Sequence, residues 1–276
     1  MNSSRRPPTF RWLFVGLILL TLLIVAAFRA QDAHATPSTT FWAPSTPYVQ
    51  PYGVLHLTYD TYFGSRAAYP IDTGLTMGVV PGQRFQAEVG FDLFYSTVVN
   101  GDGVDTPIVL NAKVGAPEDV YFDGQPAWSF GIFGVGFEEN VNDQNVLHFM
   151  LGKTLAHVGM PEIGVYYGLN EDLFRSASGD DERFGIMAGW YFPAIDVGLI
   201  DKLVFCWDIQ TGHNVLGATG GGVYAYITPA IDVLTGPVFF FEKELQPGGT
   251  EWMWSVQLDI DLDLLSGGDA SVGIAE

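Results

Sequence analysis

Twelve residues near the end of the chain, Trp252–Asp263, read WMWSVQLDIDLD and have two faces that do not agree. Trp252, Trp254, Val256, Leu258, Ile260 and Leu262 fall on one side. Met253, Ser255, Gln257, Asp259, Asp261 and Asp263 fall on the other. Only an extended strand sends successive side chains to opposite faces. At about 3.3 Å per residue, such a run reaches roughly 30 Å even when tilted, the thickness of a hydrocarbon layer. Its tryptophans gather at one end, where a lipid–water boundary favours them.

The pattern recurs along nearly the whole chain. Runs at Gly53–Phe63, Ile71–Val80, Arg84–Ser96, Pro107–Gly115, Ala127–Phe137 and Asn145–Lys153 predict the first six strands. Glu162–Leu169, Arg183–Phe192, Lys202–Gln210, Gly217–Ile227, Leu234–Lys243 and Thr250–Asp263 predict six more. Turn residues separate them, and no helical period appears after Phe28. Gly220-Gly221-Gly222 gives the tenth run no face and marks a bend or close packing. A soluble sandwich would use shorter strands with charged edges, whereas many of these runs have the nine to twelve residues that cross a bilayer. An even number returns the chain to its starting side. The expected fold is therefore all-β: a transmembrane up-and-down antiparallel barrel of twelve strands, preceded by an N-terminal signal helix.

Composition supports export. Arg5, Arg6 and Arg11 precede the apolar run Trp12–Phe28, and Ala33-His34-Ala35 is a small-x-small cleavage pattern. The expected organisation is a signal at 1–35, an extended periplasmic lead-in at 36–51, the barrel at 52–265 and a polar tail at 266–276. The chain carries a formal charge of −19; loss of four arginines and Asp32 with the signal takes it to −22. Such a chain repels nucleic acid and attracts cations. Cys206 is the single cysteine, so no internal disulfide can form. By alternation it faces inward and reads as inert filler. A closed sheet would supply the stability that disulfides give other exported domains.

With the N-terminus in the periplasm, inward-facing acids fall in the outer half of the lumen: Asp60, Asp72, Asp92, Asp208 and Glu242, with Glu88 nearer the middle. Asp259 and Asp261 fall at the periplasmic end. The inward cations that can be placed, Arg84 and Lys113, are too few to pair with them. A ring of carboxylates between low-dielectric walls favours cations. Tyr62, Phe94, Phe133, Tyr166, Tyr191, Tyr224 and Phe240 also face inward and would narrow the pore or close it. Asn100–Asp105 spaces oxygens as small calcium loops do, through Asp102 and Asp105, but lacks the full loop with its terminal Glu; an ordinary exposed loop is the simpler reading. No other cofactor is expected.

Two smaller features complete the reading. Pro193–Val197 (PAIDV) recurs as Pro229–Val233, 36 residues later, and fits a hairpin duplication whose Pro and Asp serve turns. His56 and Asp60, four residues apart on one face, would make a base–orienter pair, but no serine nucleophile stands beside them.

The export signal, the amphipathic strands and the aromatic-flanked last strand together resemble bacterial outer-membrane β-barrel proteins as a class, over roughly residues 52–264. Such barrels commonly end on an aromatic residue in the last strand, whereas this chain runs on past Leu264-Leu265. The resemblance implies an outer-membrane location with lipid around the barrel; it implies no particular activity. The leading expectation is a narrow pore or small-solute transporter with a cation-favouring lumen. Against it stand a non-conducting barrel that binds or braces through acidic loops, and a barrel enzyme acting on lipid or peptide.

Overall fold

A computed structural model of the chain describes residues 42–43, 46–64, 70–96 and 106–265. The expected signal, the candidate calcium loop with Asp102 and Asp105, and the tail 266–276 lie outside the described residues.

Twelve antiparallel strands close into one barrel in sequence order. They are β1 (Val54–Phe63), β2 (Pro70–Gly78), β3 (Gln86–Ser96), β4 (Ile108–Ala116), β5 (Ala127–Val135) and β6 (Val146–Gly152), followed by β7 (Met160–Gly168), β8 (Phe184–Tyr191), β9 (Lys202–Gln210), β10 (Ala218–Thr228), β11 (Ile231–Phe240) and β12 (Trp252–Asp263). The two-faced run Trp252–Asp263 is the closing strand, and it pairs with β1 from Val54↔Asp263 to Phe63↔Trp254. Closure leaves no sheet edge, so every strand has a ladder partner on both sides. Among the described residues no helix is long and apolar enough to cross a membrane.

The two faces separate as the alternation requires. On β12 the odd-numbered residues from Met253 to Asp261 are buried and face the lumen, whereas Trp252 and Trp254 stand nearly half exposed outside. The outer surface is a belt of large apolar side chains, among them Phe130, Ile163, Val165, Phe205 and Phe239. The indole N–H groups on this belt find partners: Trp207 and Trp254 donate to the Thr219 and Thr235 hydroxyls. The glycine run in β10 is resolved as close packing. A Cβ at Gly236 of β11 would overlap the Gly221 carbonyl, so the two strands approach more closely there than side chains allow.

The end where β1 begins and β12 finishes is called proximal here, and the opposite end distal. Two expectations fail at strand ends, where alternation stops carrying information. Arg84 precedes β3 in an exposed proximal turn, and its carbonyl accepts the Tyr121 hydroxyl; it is no lumen cation. Glu242 lies past the end of β11, in the distal connection, where it meets the His213 ring at 2.7 Å. The duplicated PAIDV motif also splits. Its first copy is an exposed turn in which Asp196 accepts the Gly198 N–H. Its second copy runs into β11, so Asp232 is buried in the lumen and serves no turn.

A small ionic cluster tightens the proximal rim. Lys153 bridges Asp119 (2.6 Å) and Glu118 (3.0 Å) between neighbouring connections. The hydrogen bond from Lys153, aided by the Gly124 N–H, holds the Asp119 carboxyl below its ordinary range. A depressed carboxyl stabilises the fold above its unfolded pKa and loses that contribution as pH falls through the lowered value. Asp119→Asn should therefore lower the unfolding midpoint slightly at neutral pH. The difference from the parent protein should shrink as pH falls from the ordinary carboxylate range through the lowered value, in thermal scans of folded protein in detergent.

Candidate functional site in the barrel lumen

The lumen is not an empty tube. The described part of the expected lead-in at 36–51 runs up through the lumen. The described part of this strap, residues 42–43 and 46–51, is bound at each level by an inward-facing group. At the proximal end Gln50 donates its backbone N–H to Glu88 at 2.6 Å. Higher up, the Ser129 hydroxyl donates to the Thr46 carbonyl at 2.7 Å. At the distal end the backbone N–H groups of Trp42 and Ala43 converge on Asp208 Oδ2, at 2.7 and 2.6 Å. Asp208 has no solvent exposure. An extended segment without ladder partners must satisfy its N–H groups somewhere, and the inward carboxylates do so.

The ring makes room for the strap with glycine. A Cβ at Gly78 would overlap the carbonyl oxygens of Pro51 and Gln50, and one at Gly152 would press into the Pro47 ring. The Trp42 indole crowns the segment. It donates to the Leu216 carbonyl and packs edge-on against Tyr62 (5.9 Å) and Phe240 (5.2 Å).

The other side of the lumen is filled by side chains. Tyr191, Tyr224 and Tyr226 stack at 5.7 and 5.8 Å centroid separations, with Cys206, Leu234 and Met253 in the same buried cluster. Tyr166, Met187 and Phe174, the last from the connection after β7, form a second cluster. Of the seven aromatics expected to face inward, Tyr166, Tyr191 and Tyr224 are packing, Phe240 backs Trp42, and Tyr62, Phe94 and Phe133 border open space.

That space is a cavity of about 400 Å³ between the strap and the wall made by β1 to β6. Asp60, Asp72, Glu88, Asp92 and Asp259 line it, with Lys113 and Asn111. Two of these acids are occupied. Glu88 faces Lys113 at 3.3 Å besides holding Gln50. Asp92 accepts a hydrogen bond from the Asn111 amide. Asp60 and Asp72 are direct cross-strand partners. Oδ1 of each is shielded from solvent and accepts no hydrogen bond. Like charges placed opposite one another repel, and neither Asp60 nor Asp72 forms an ion pair with a described cation.

A second polar centre lies nearer the proximal end. His56 Nδ1 meets Asp261 at 2.7 Å, and its Nε2 lies 3.7 Å from Asp259. The expected orienter, Asp60, is not its partner: cross-strand register puts His56 opposite Asp261, whereas Asp60 lies four residues up β1. Asp232 sits opposite Asp259 on the neighbouring strand and completes the acidic surround. Sequence reasoning missed Asp232 by starting the eleventh strand at Leu234. A strand begun at Ile231 would have turned it inward. It also missed the strap, for which the inward glycines at proximal strand ends, Gly78 and Gly152, were the available signal. Among the described residues no three acids, histidines or cysteines converge as a metal site.

No family model matches the sequence, and no curated protein matches it. Solved structures with a similar backbone include outer-membrane barrels. The NanC porin superposes with a TM-score of 0.48 at 12% identity, over 75% of this chain and all of that one. An outer-membrane channel from Pseudomonas putida gives 0.43 at 11% identity, over 84% and 98%. Outer-membrane phospholipase A from Escherichia coli gives 0.43 at 13%, over 79% and 95%. Closure of the twelve strands rests on the ladder itself, and these likenesses add no site or activity to it.

Proposed function

We propose that the chain is an outer-membrane barrel that passes small cations through a narrow, acid-lined lumen, with its own N-terminal strap as the main constriction. The apolar outer belt suits lipid, and exported protein carrying the signal at 1–35 would reach that membrane. The observation that carries the reading is the wall of Asp60, Asp72 and Asp92 beside open space, with Lys113 and His56 already engaged elsewhere. Fixed negative charge in a low-dielectric tube lowers the barrier for cations and raises it for anions.

Planar-bilayer recording tests this. Under a salt gradient the reversal potential should show cation preference, and Asp60→Asn with Asp92→Asn should move it toward the unselective value. Anion preference, or no conductance with or without the strap, would sink the reading.

The filled half of the lumen favours a second reading, a barrel that conducts nothing and acts through its surface. Silence in the same recordings is its expected result. An enzyme is less well supported. Among the described residues His56 contacts carboxylates and no hydroxyl nucleophile bonds to it, so turnover on phospholipid or peptide that disappears in His56→Ala would be needed to revive it.

A further inference from the structure

The cavity beside the strap has walls of two kinds. On one side stand the carboxylates of Asp60, Asp72 and Asp92, from three successive strands. Around them stand the rings of Trp42, Tyr62 and Phe94. Gln210, fully buried on β9, lines the same space from across the lumen. Its amide neighbours the Tyr166 hydroxyl, which also bonds the Thr211 carbonyl and the Asn214 amide. Oδ1 of Asp60 and Oδ1 of Asp72 are shielded from solvent and accept no hydrogen bond. Buried polar atoms without partners are costly, and they are one sign of groups kept for a ligand.

We infer that this cavity is a binding site for a small organic ammonium ion, with its charged head against Asp60, Asp72 and Asp92 and its carbon skeleton against the rings of Trp42, Tyr62 and Phe94. The inference rests on the reading of an acidic lumen open to solutes. Three observations select this ligand class. The carboxylates require a cation. The volume, about 400 Å³, is that of a small-molecule pocket and far exceeds a single ion. No convergent set of metal ligands is present among the described residues, whereas aromatic faces beside acids are the usual surroundings of organic cations. The Gln210 amide would meet a polar substituent at the far end of the ligand.

Calorimetric titration of the full chain, folded in detergent micelles at fixed ionic strength, tests the site. The probes are tetramethylammonium, 1,4-diaminobutane, sodium and magnesium chlorides. The two organic ions should bind at least about tenfold more tightly than sodium. Asp60→Asn with Asp72→Asn should abolish that binding. Trp42→Ala, which leaves the ring of strands untouched, should weaken tetramethylammonium severalfold and leave sodium unchanged; it stands as the test if the double variant does not fold. Equal binding of sodium and the organic ions, or binding indifferent to both variants, overturns the site. Bilayer recording of the same preparations separates the two readings. Binding without conductance keeps the site and removes the pore, and cation-selective conductance without binding removes the site alone.

Discussion

Removal of residues 36–51 should raise single-channel conductance by about fivefold or more, because current scales with the narrowest open section, which on the proposed function lies at the strap. The strap is held by directed contacts at both ends and in between, so the intact chain should show small and steady currents. Its hold can also be weakened from the ring. Asp208→Ala removes the acceptor of two backbone N–H groups, and bonds to a charged group contribute about 1.5–3 kcal/mol each. Gly78→Val and Gly152→Val place side chains where Pro51, Gln50 and Pro47 now lie. All three changes should produce larger or flickering currents with the strap still attached. The Tyr191–Tyr224–Tyr226 stack would remain, so even the strapless barrel should stay narrower than a wide porin. An unchanged conductance across this series would mean that ions do not pass where the strap lies.

The second large effect is on stability. His56 is buried among Asp232, Asp259 and Asp261, from β11 and β12, so its loss should cost more than the loss of any one acid. His56→Leu leaves the Asp261 and Asp259 carboxylates facing one another without their shared partner. Breaking a buried pair in this way costs about 3–5 kcal/mol. Asp261→Asn keeps an oxygen near Nδ1 and should cost less, about 1–3 kcal/mol. Urea unfolding in detergent, followed by tryptophan fluorescence, gives both values. The reverse order, or two negligible costs, would show that the His56–Asp261 contact does not brace the proximal end. The triple change of His56, Asp259 and Asp261 to apolar residues should recover part of the loss, since no buried charge is then left unmatched.

The chain's alternation was enough to place all twelve strands with both ends within three residues, and β9 at its observed ends. It also set which face each side chain takes: Asp60, Asp72 and Asp92 turn inward, and Trp252 and Trp254 turn to the outer surface. Face is a local property, fixed by the two-residue period of an extended chain, so sequence alone determines it. It says nothing once a strand ends, which is why Arg84 and Glu242 fall outside the lumen, and it says little where a turn is misplaced, which hid Asp232. Partner and depth are different quantities. They depend on the register between strands distant in sequence and on what else occupies the interior. Register gave His56 to Asp261 instead of Asp60. Occupancy turned Asp208 and Glu88 from free lumen charges into clamps on the strap. No period marks a strap that pairs with side chains and not with a ladder, so only the closed tertiary structure, whose interior had to be filled, decided where residues 42–43 and 46–51 would go.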